Sequence, residues 1–336
     1  MAKSSVRIGI DFGGTKTEII ALDASNGKEL FRKRINTPRD DYAVSLQSFK
    51  DLIEEAEEHV GAKGTIGMGI PGSISQDTQT IKNSNSLWMI GKPMKKDLEK
   101  MLGREVRIEN DANCFAVSEA VDGAGQGAKI VFGVIIGTGC GGGVVVDGKP
   151  VAGRNGIGGE WGHNPLPYPR CYAPDGFPNP FKIPVPPTDK KIVLTTNDKA
   201  WAEYPGEYCY CGKISCQETW ISGTGFKRDY ARITGEELST HDVIANAKAG
   251  EPKAVAAYQR YADRLARALS VVMNLLDPDV IVLGGGMSNV AALYDDVPKL
   301  WGQYVFSDFV HTKLKPPLHG DSSGVRGAAW LWDKNA

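Results

Sequence analysis

The sequence predicts an α/β protein built from two duplicated lobes, and three observations carry that prediction. Two glycine-rich hairpins of like plan stand about 125 residues apart. After each of them, amphipathic helical stretches alternate with short apolar strands, the pattern of sheets covered by helices. The 336 residues hold 40 acidic against 39 basic side chains, with 41% hydrophobic and 24% charged, a balance suited to a globular chain of two domains.

The first hairpin occupies residues 6–22: a strand through Ile8 and Ile10, a tight turn from Asp11 to Thr15, and a second strand through Thr17, Ile19 and Ala21. Residues 43–60 follow as an amphipathic helix, 65–70 and 106–108 as strands, and 112–121 as a helix. The second hairpin, 130–146, repeats the first around Gly137-Thr138-Gly139-Cys140-Gly141. A long helix over 254–276 and a strand over 280–283 come later. A glycine-rich turn at 122–127 marks the lobe boundary. The expected lobes are residues 1–119 with 318–336, and residues 120–317. Ten of the nineteen prolines fall in 165–206, which reads as an irregular surface insertion, a linker or lid edge.

A net charge of −1 offers no electrostatic footprint for nucleic acid or an anionic membrane. No apolar run approaches the ~20 residues that cross a bilayer, and the N-terminus lacks a signal-peptide core, so a cytoplasmic location is expected. Six cysteines are too few for a disulfide framework. Three of them crowd into 209–216, the spacing of a metal site.

Both hairpins must be weighed against common nucleotide loops. In Gly9 to Thr17 the lysine stands one place too late for a Walker loop, and Gly137 to Gly142 is followed by a strand where a dinucleotide fold needs a helix. A glycine turn between two strands, used twice, instead lets backbone N–H groups approach phosphate while Thr15 and Thr138 add hydroxyls. Asp11 at the tip of the first strand suits Mg²⁺ held through water. The plain alternative is two ordinary hairpin turns.

Two further segments carry chemistry. Asp111, in Glu109-Asn110-Asp111-Ala112-Asn113, begins a helix whose macrodipole favours a carboxylate, so it serves either as a proton acceptor or as a helix cap. His163, Cys209, Cys211 and Cys216 make a complete tetrahedral set for a structural Zn²⁺, against the plainer reading of buried free thiols and an unrelated imidazole.

On these strings the chain resembles the ROK sugar kinases, within the actin-like, ribonuclease H-like ATPase superfamily. Asp11-Phe12-Gly13-Gly14-Thr15-Lys16-Thr17 is similar to the first phosphate motif and Ile136 to Gly143 to the second. Val280 to Ser288, with Gly284, Gly285 and Gly286, resembles the adenosine motif. The resemblance implies a two-lobed fold with an interlobe cleft, and ATP and Mg²⁺ bound through Asp11, Gly13, Gly14, Thr15, Lys16, Gly137, Thr138, Gly139 and Gly284–Gly286. It further implies Asp111 as catalytic base, and sugar contacts at Asn110, Glu160, His163 and Glu218, with Gly72 and Asn85 bordering the sugar. The family's zinc ligands match His163, Cys209, Cys211 and Cys216; the gap between His163 and Cys209 is longer than in relatives, which makes Cys171 an alternative ligand. A homodimer is the family's habit.

The strings at 37–42, 69–74 and 159–167 resemble bacterial ROK fructokinases, so the expected reaction is phosphorylation of fructose at its 6-hydroxyl, with N-acetylglucosamine, mannose or glucose as alternatives. ROK repressors add an N-terminal helix-turn-helix, for which a phosphate strand starting at Val6 leaves no room. A chaperone-like or cytoskeletal ATPase would leave the glutamates beside the metal set unexplained.

Overall fold

The structure, a computed structural model, describes residues 4–173, 194–320 and 323–332. The chain opens with strands β1 (Val6–Phe12), β2 (Lys16–Asp23) and β3 (Glu29–Asn36), then helix α1 (Tyr42–Val60) and strand β4 (Thr65–Ile70). A small ladder, β5 (Ser73–Ile74) with β6 (Ile81–Lys82), precedes α2 (Met94–Leu102), β7 (Val106–Asn110) and α3 (Asp111–Val121). The second hairpin comprises β8 (Ile130–Ile136), β9 (Cys140–Val146) and β10 (Lys149–Pro150). Strands β11 (Cys171–Tyr172) and β12 (Thr195–Thr196) pair in parallel. Helices α4 (Glu218–Ile221), α5 (Gly223–Thr234), α6 (Thr240–Lys248) and α7 (Pro252–Leu276) follow, then β13 (Val280–Gly284), α8 (Leu293–Trp301), β14 (Lys313–Lys315) and α9 (Ser323–Ala329).

The two five-stranded sheets have the orders β3-β2-β1-β4-β7 and β10-β9-β8-β13-β14. In each, an antiparallel meander supplies three strands and the later strands add at the inner one, so the duplicated α/β plan holds at the level of topology. The strands form where β-branched and aliphatic residues concentrate: Val6, Ile8, Ile10 and Phe12 alternate along β1 and are all buried, and Ile19 to Leu22 of β2 are buried in one run. β3 is an edge strand and carries Arg32, Lys33 and Arg34 outward, charges that block edge-to-edge pairing. Helix α1 begins at Asp41, whose side chain accepts from the amides of Ala43 and Val44, and lays Leu46, Phe49, Leu52 and Ile53 on the sheet.

Two compact units result: residues 1–134, 142–159 and 317–336, and residues 135–141 and 160–316. Most of β8 and β9 joins the first unit because Gly133 and Gly143 let their strands press on α3; a Cβ there would come within 2.7 Å of Ala116 and 2.6 Å of the Ala112 carbonyl. The centre of the Pro-rich stretch lies outside the described residues, but its ends are built into the second unit. Buried Glu203 accepts from Arg264 Nε at 2.9 Å and from Arg267 Nη1 at 2.9 Å, both on α7. Arg170 meets Asp263 at 3.1 Å, and Arg267 also donates to the Pro167 and Tyr168 carbonyls at 3.0 Å. Burial works against ionisation of Glu203, yet the two guanidiniums hold its carboxyl below the ordinary range.

Candidate active site

In the first unit, β1, β4 and β7 run parallel, and their register sets Asp11 beside Gly69 and Gly69 beside Glu109. Asp11 therefore stands near the carboxyl end of β1, close to where β7 passes into α3. Asn110 caps that helix: its Oδ1 accepts from the Ala112 amide at 2.9 Å and its Nδ2 donates to the Gly72 carbonyl at 3.1 Å. The capping role left open for Asp111 falls to its neighbour. Asp111 is the first helical residue and is exposed, its Oδ1 accepting from the Ala112 amide at 2.8 Å.

Burial first, and the charge of Asp111 second, push the Asp11 carboxyl up to about 7. The Asp11 carboxylate offers oxygen donors of the kind Mg²⁺ takes. Gly72 has φ +103°, and a Cβ there would lie 2.5 Å from the Lys82 carbonyl, so only glycine lets this turn reach Asn110.

The first phosphate loop is closed by the Gly13 amide donating to the Lys16 carbonyl at 3.0 Å. Buried Thr37 braces it from outside, its hydroxyl donating to the Gly13 carbonyl at 2.7 Å and its amide to the Thr15 carbonyl at 3.0 Å. Thr15 and Lys16 stay exposed, and Asn85 Oδ1 lies 3.7 Å from where a Gly14 Cβ would be.

In the second unit, the Gly137 amide donates to the Gly139 carbonyl at 3.0 Å, and Thr138 is exposed at the tip of the loop. The adenosine-type glycines abut this hairpin: Gly285 has φ +74°, and a Cβ there would sit 2.5 Å from the Ile136 carbonyl. Glu218 reaches the same loop, its Oε2 accepting from the Cys140 amide at 2.9 Å. Trp161 Nε1 donates to the Gly141 carbonyl at 3.0 Å, seating the Glu160–His163 turn against the hairpin.

His163, Cys209, Cys211 and Cys216 bring their ligand atoms within 4.8 Å of one another. Cys209 Sγ is 3.6 Å from His163 Nδ1, and Cys211 Sγ is 3.6 Å from Cys216 Sγ. Tetrahedral zinc with bonds of ~2.0–2.3 Å gives ligand separations of ~3.4–3.8 Å, the range of these two pairs. Cys171 lies on β11, outside this cluster. The long gap after His163 does no harm because the chain re-registers: Pro165 pairs with Cys216, and the Leu166 amide donates to the Ser215 carbonyl at 2.9 Å.

Sequence reasoning missed Tyr210. Its hydroxyl lies 3.0 Å from His163 Nε2, so the imidazole nitrogen expected to face a sugar hydroxyl meets a phenol instead. A tyrosine between two metal-type cysteines was the available signal. Partial burial, with the charges of Glu218, Cys209 and Glu160, pushes that phenol up to about 12.

A family model described as "ROK family" matches residues 7–335. An N-acetyl-D-glucosamine kinase from Yersinia enterocolitica is 40% identical over 323 residues, 96% of this chain and 98% of that protein. Among solved structures, a ROK hexokinase from Thermus thermophilus is 27% identical with a TM-score of 0.77, over 97% of both chains. A ROK family glucokinase from Streptomyces griseus, solved with glucose and AMPPNP, is 25% identical with a TM-score of 0.68, over 97% of this chain and 98% of that one. These relatives favour the N-acetylglucosamine alternative over the expected fructose type.

Proposed function

Since the chain belongs to the ROK family, whose members compared above include ATP-dependent hexose kinases, we propose that it phosphorylates the 6-hydroxyl of N-acetyl-D-glucosamine, with Asp111 as general base. The observation that carries the reading is the exposed Asp111 carboxylate at the head of α3 in a chain so similar to the Yersinia kinase throughout. Phosphoryl transfer asks mainly for positioning, charge neutralisation and a proton acceptor, and the residues divide along those lines. Asn110 and Gly72 keep the turn beside Asp111 fixed, while Glu160 and Glu218 offer acceptors to sugar hydroxyls. Asp111 takes the hydroxyl proton as the sugar oxygen bonds to the γ-phosphorus. The bond from that phosphorus to the bridging oxygen breaks, and ADP leaves with the electron pair. Asp11 would hold Mg²⁺ through water, and the ion would supply neutralisation of the phosphate charge. The phosphate loops offer backbone N–H groups at Gly14–Thr15 and Thr138–Gly139. Zn²⁺ on His163, Cys209, Cys211 and Cys216 is structural, because protein fills all four positions.

An ADP-release assay across N-acetylglucosamine, fructose, mannose and glucose tests the assignment. A kcat/KM for N-acetylglucosamine at least ~10-fold above the others is expected. A higher value for fructose would overturn it.

A further inference from the structure

The mechanism above finds no use for the motif Thr37-Pro38-Arg39-Asp40-Asp41-Tyr42, yet the motif lies against the first phosphate loop. Arg39 donates from Nε to the Gly14 carbonyl at 2.8 Å. That bond uses one of the five guanidinium donors. Among the described residues no carboxylate pairs with Arg39, and its Nη groups make no hydrogen bond.

Beside this arginine is a cavity of about 490 Å³ lined by Gly14, Thr15, Arg39, Asp40, Asn85 and Trp88. Its wall is chemically mixed. Arg39 and the Thr15 hydroxyl suit phosphate oxygens, whereas the Asp40 carboxylate repels them and accepts hydroxyl donors. Asn85 serves either kind of group, and Trp88 offers an apolar ring. A ligand carrying both a phosphate and several hydroxyls answers all of these at once. Asp40 is held at φ +66°, a left-handed conformation that an aspartate adopts at a cost. Below the loop, buried Ser86 has an Oγ without a hydrogen-bond partner, 3.9 Å from where a Gly14 Cβ would lie. The same wall continues toward the acceptor: a Cβ on Gly72 would come within 3.0 Å of the Asn83 carbonyl, and the Gly72 carbonyl is held by Asn110, next to Asp111.

We infer that Arg39 is a further catalytic residue, contacting the phosphoryl group as it passes to the sugar and holding the phosphate of the hexose 6-phosphate product. This rests on the kinase reading and names a residue of the same site. With Nε engaged on the Gly14 carbonyl, the two Nη groups present a planar pair of donors at the loop that receives phosphate, the geometry that matches two oxygens of one phosphoryl group. The step is unchanged in its balance; Arg39 exchanges no proton and stabilises charge on the non-bridging oxygens.

The test compares wild type with Arg39→Ala by titration calorimetry, using N-acetylglucosamine and its 6-phosphate, and by initial rates with and without added guanidinium chloride at low millimolar concentration. In the variant, binding of the 6-phosphate is expected to weaken ~10-fold or more while the free sugar changes less than ~2-fold. The kcat should fall by roughly 10- to 10³-fold and recover in part with guanidinium. Equal weakening of both ligands, an unchanged kcat, or a lowered kcat with a lowered Tm and no guanidinium response would each overturn the inference, leaving Arg39 a brace for the loop. Parallel titrations with fructose and fructose 6-phosphate keep the two readings apart. If only the fructose pair binds, the sugar assignment fails, while a phosphate-dependent loss within that pair still upholds Arg39.

Discussion

At the scale of single residues, the cysteines and His163 show how far side-chain chemistry can be read without a structure. Three thiols and an imidazole of the right types announce a tetrahedral ligand set, and their ligand atoms do gather within 4.8 Å. Metal analysis of protein purified without added zinc should find about one ion per chain, and Cys211→Ser, which removes the exposed ligand, should lose it. Active enzyme free of zinc, or full zinc retention by Cys211→Ser, would contradict the assignment. What the sequence concealed is the partner of each group. Nothing in the string at 209–216 says that Tyr210 meets His163 Nε2, or that Glu218 reaches the Cys140 amide 78 positions earlier. Those contacts depend on how distant turns are stacked. Asn110 and Asp111 show the same limit: either could cap α3, and the choice became visible only in the extended backbone of Asn110 and its hydrogen bond from the Ala112 amide.

At the scale of elements, helices and strands were legible wherever one period dominated. The stretches expected at 43–60, 112–121, 254–276 and 280–283 appear as α1, α3, α7 and β13 with ends shifted by two residues or fewer. The Pro-rich stretch was not legible, since its ends are fixed by charge pairs of high sequence separation, such as Glu203 with Arg264 and Arg267 on α7. Helix α9 is tied to the end of α3 in a comparable way. Asp122 accepts from Trp330 Nε1 at 2.9 Å, pairs with Arg326, and lies 3.3 Å from His319 Nε2.

The Asp122 carboxylate beside its ring raises His319 above its ordinary value of 6.5. Asp122 itself, despite burial, is lowered by His319 and Arg326. A raised histidine adds stability that is complete below about pH 6.5 and fades as pH climbs through the raised value. The lowered aspartate adds stability present above the ordinary carboxylate range and lost in acid. Urea unfolding should therefore show wild type more stable than His319→Gln by roughly 0.5–1 kcal/mol near pH 6, with the gap closing toward pH 8.5. A gap independent of pH would remove the charge from this account.

At the scale of the whole molecule, the duplication was the most legible feature, because two glycine hairpins of one plan force two sheets of one order. The extent of each unit was harder to read. Gly133 and Gly143 place most of the second hairpin with the first unit, a consequence of close packing on α3 that spacing does not reveal. The sugar was the least legible: the strings read as fructokinase-like, whereas the Yersinia relative is an N-acetyl-D-glucosamine kinase. The proposed reaction rests on one exposed carboxylate at the head of α3. Its most direct test is Asp111→Asn, measured for turnover with N-acetylglucosamine and ATP and, separately, for equilibrium binding of the sugar. The account predicts a kcat lower by roughly 10²- to 10⁴-fold with sugar binding retained; turnover at the wild-type rate would contradict it.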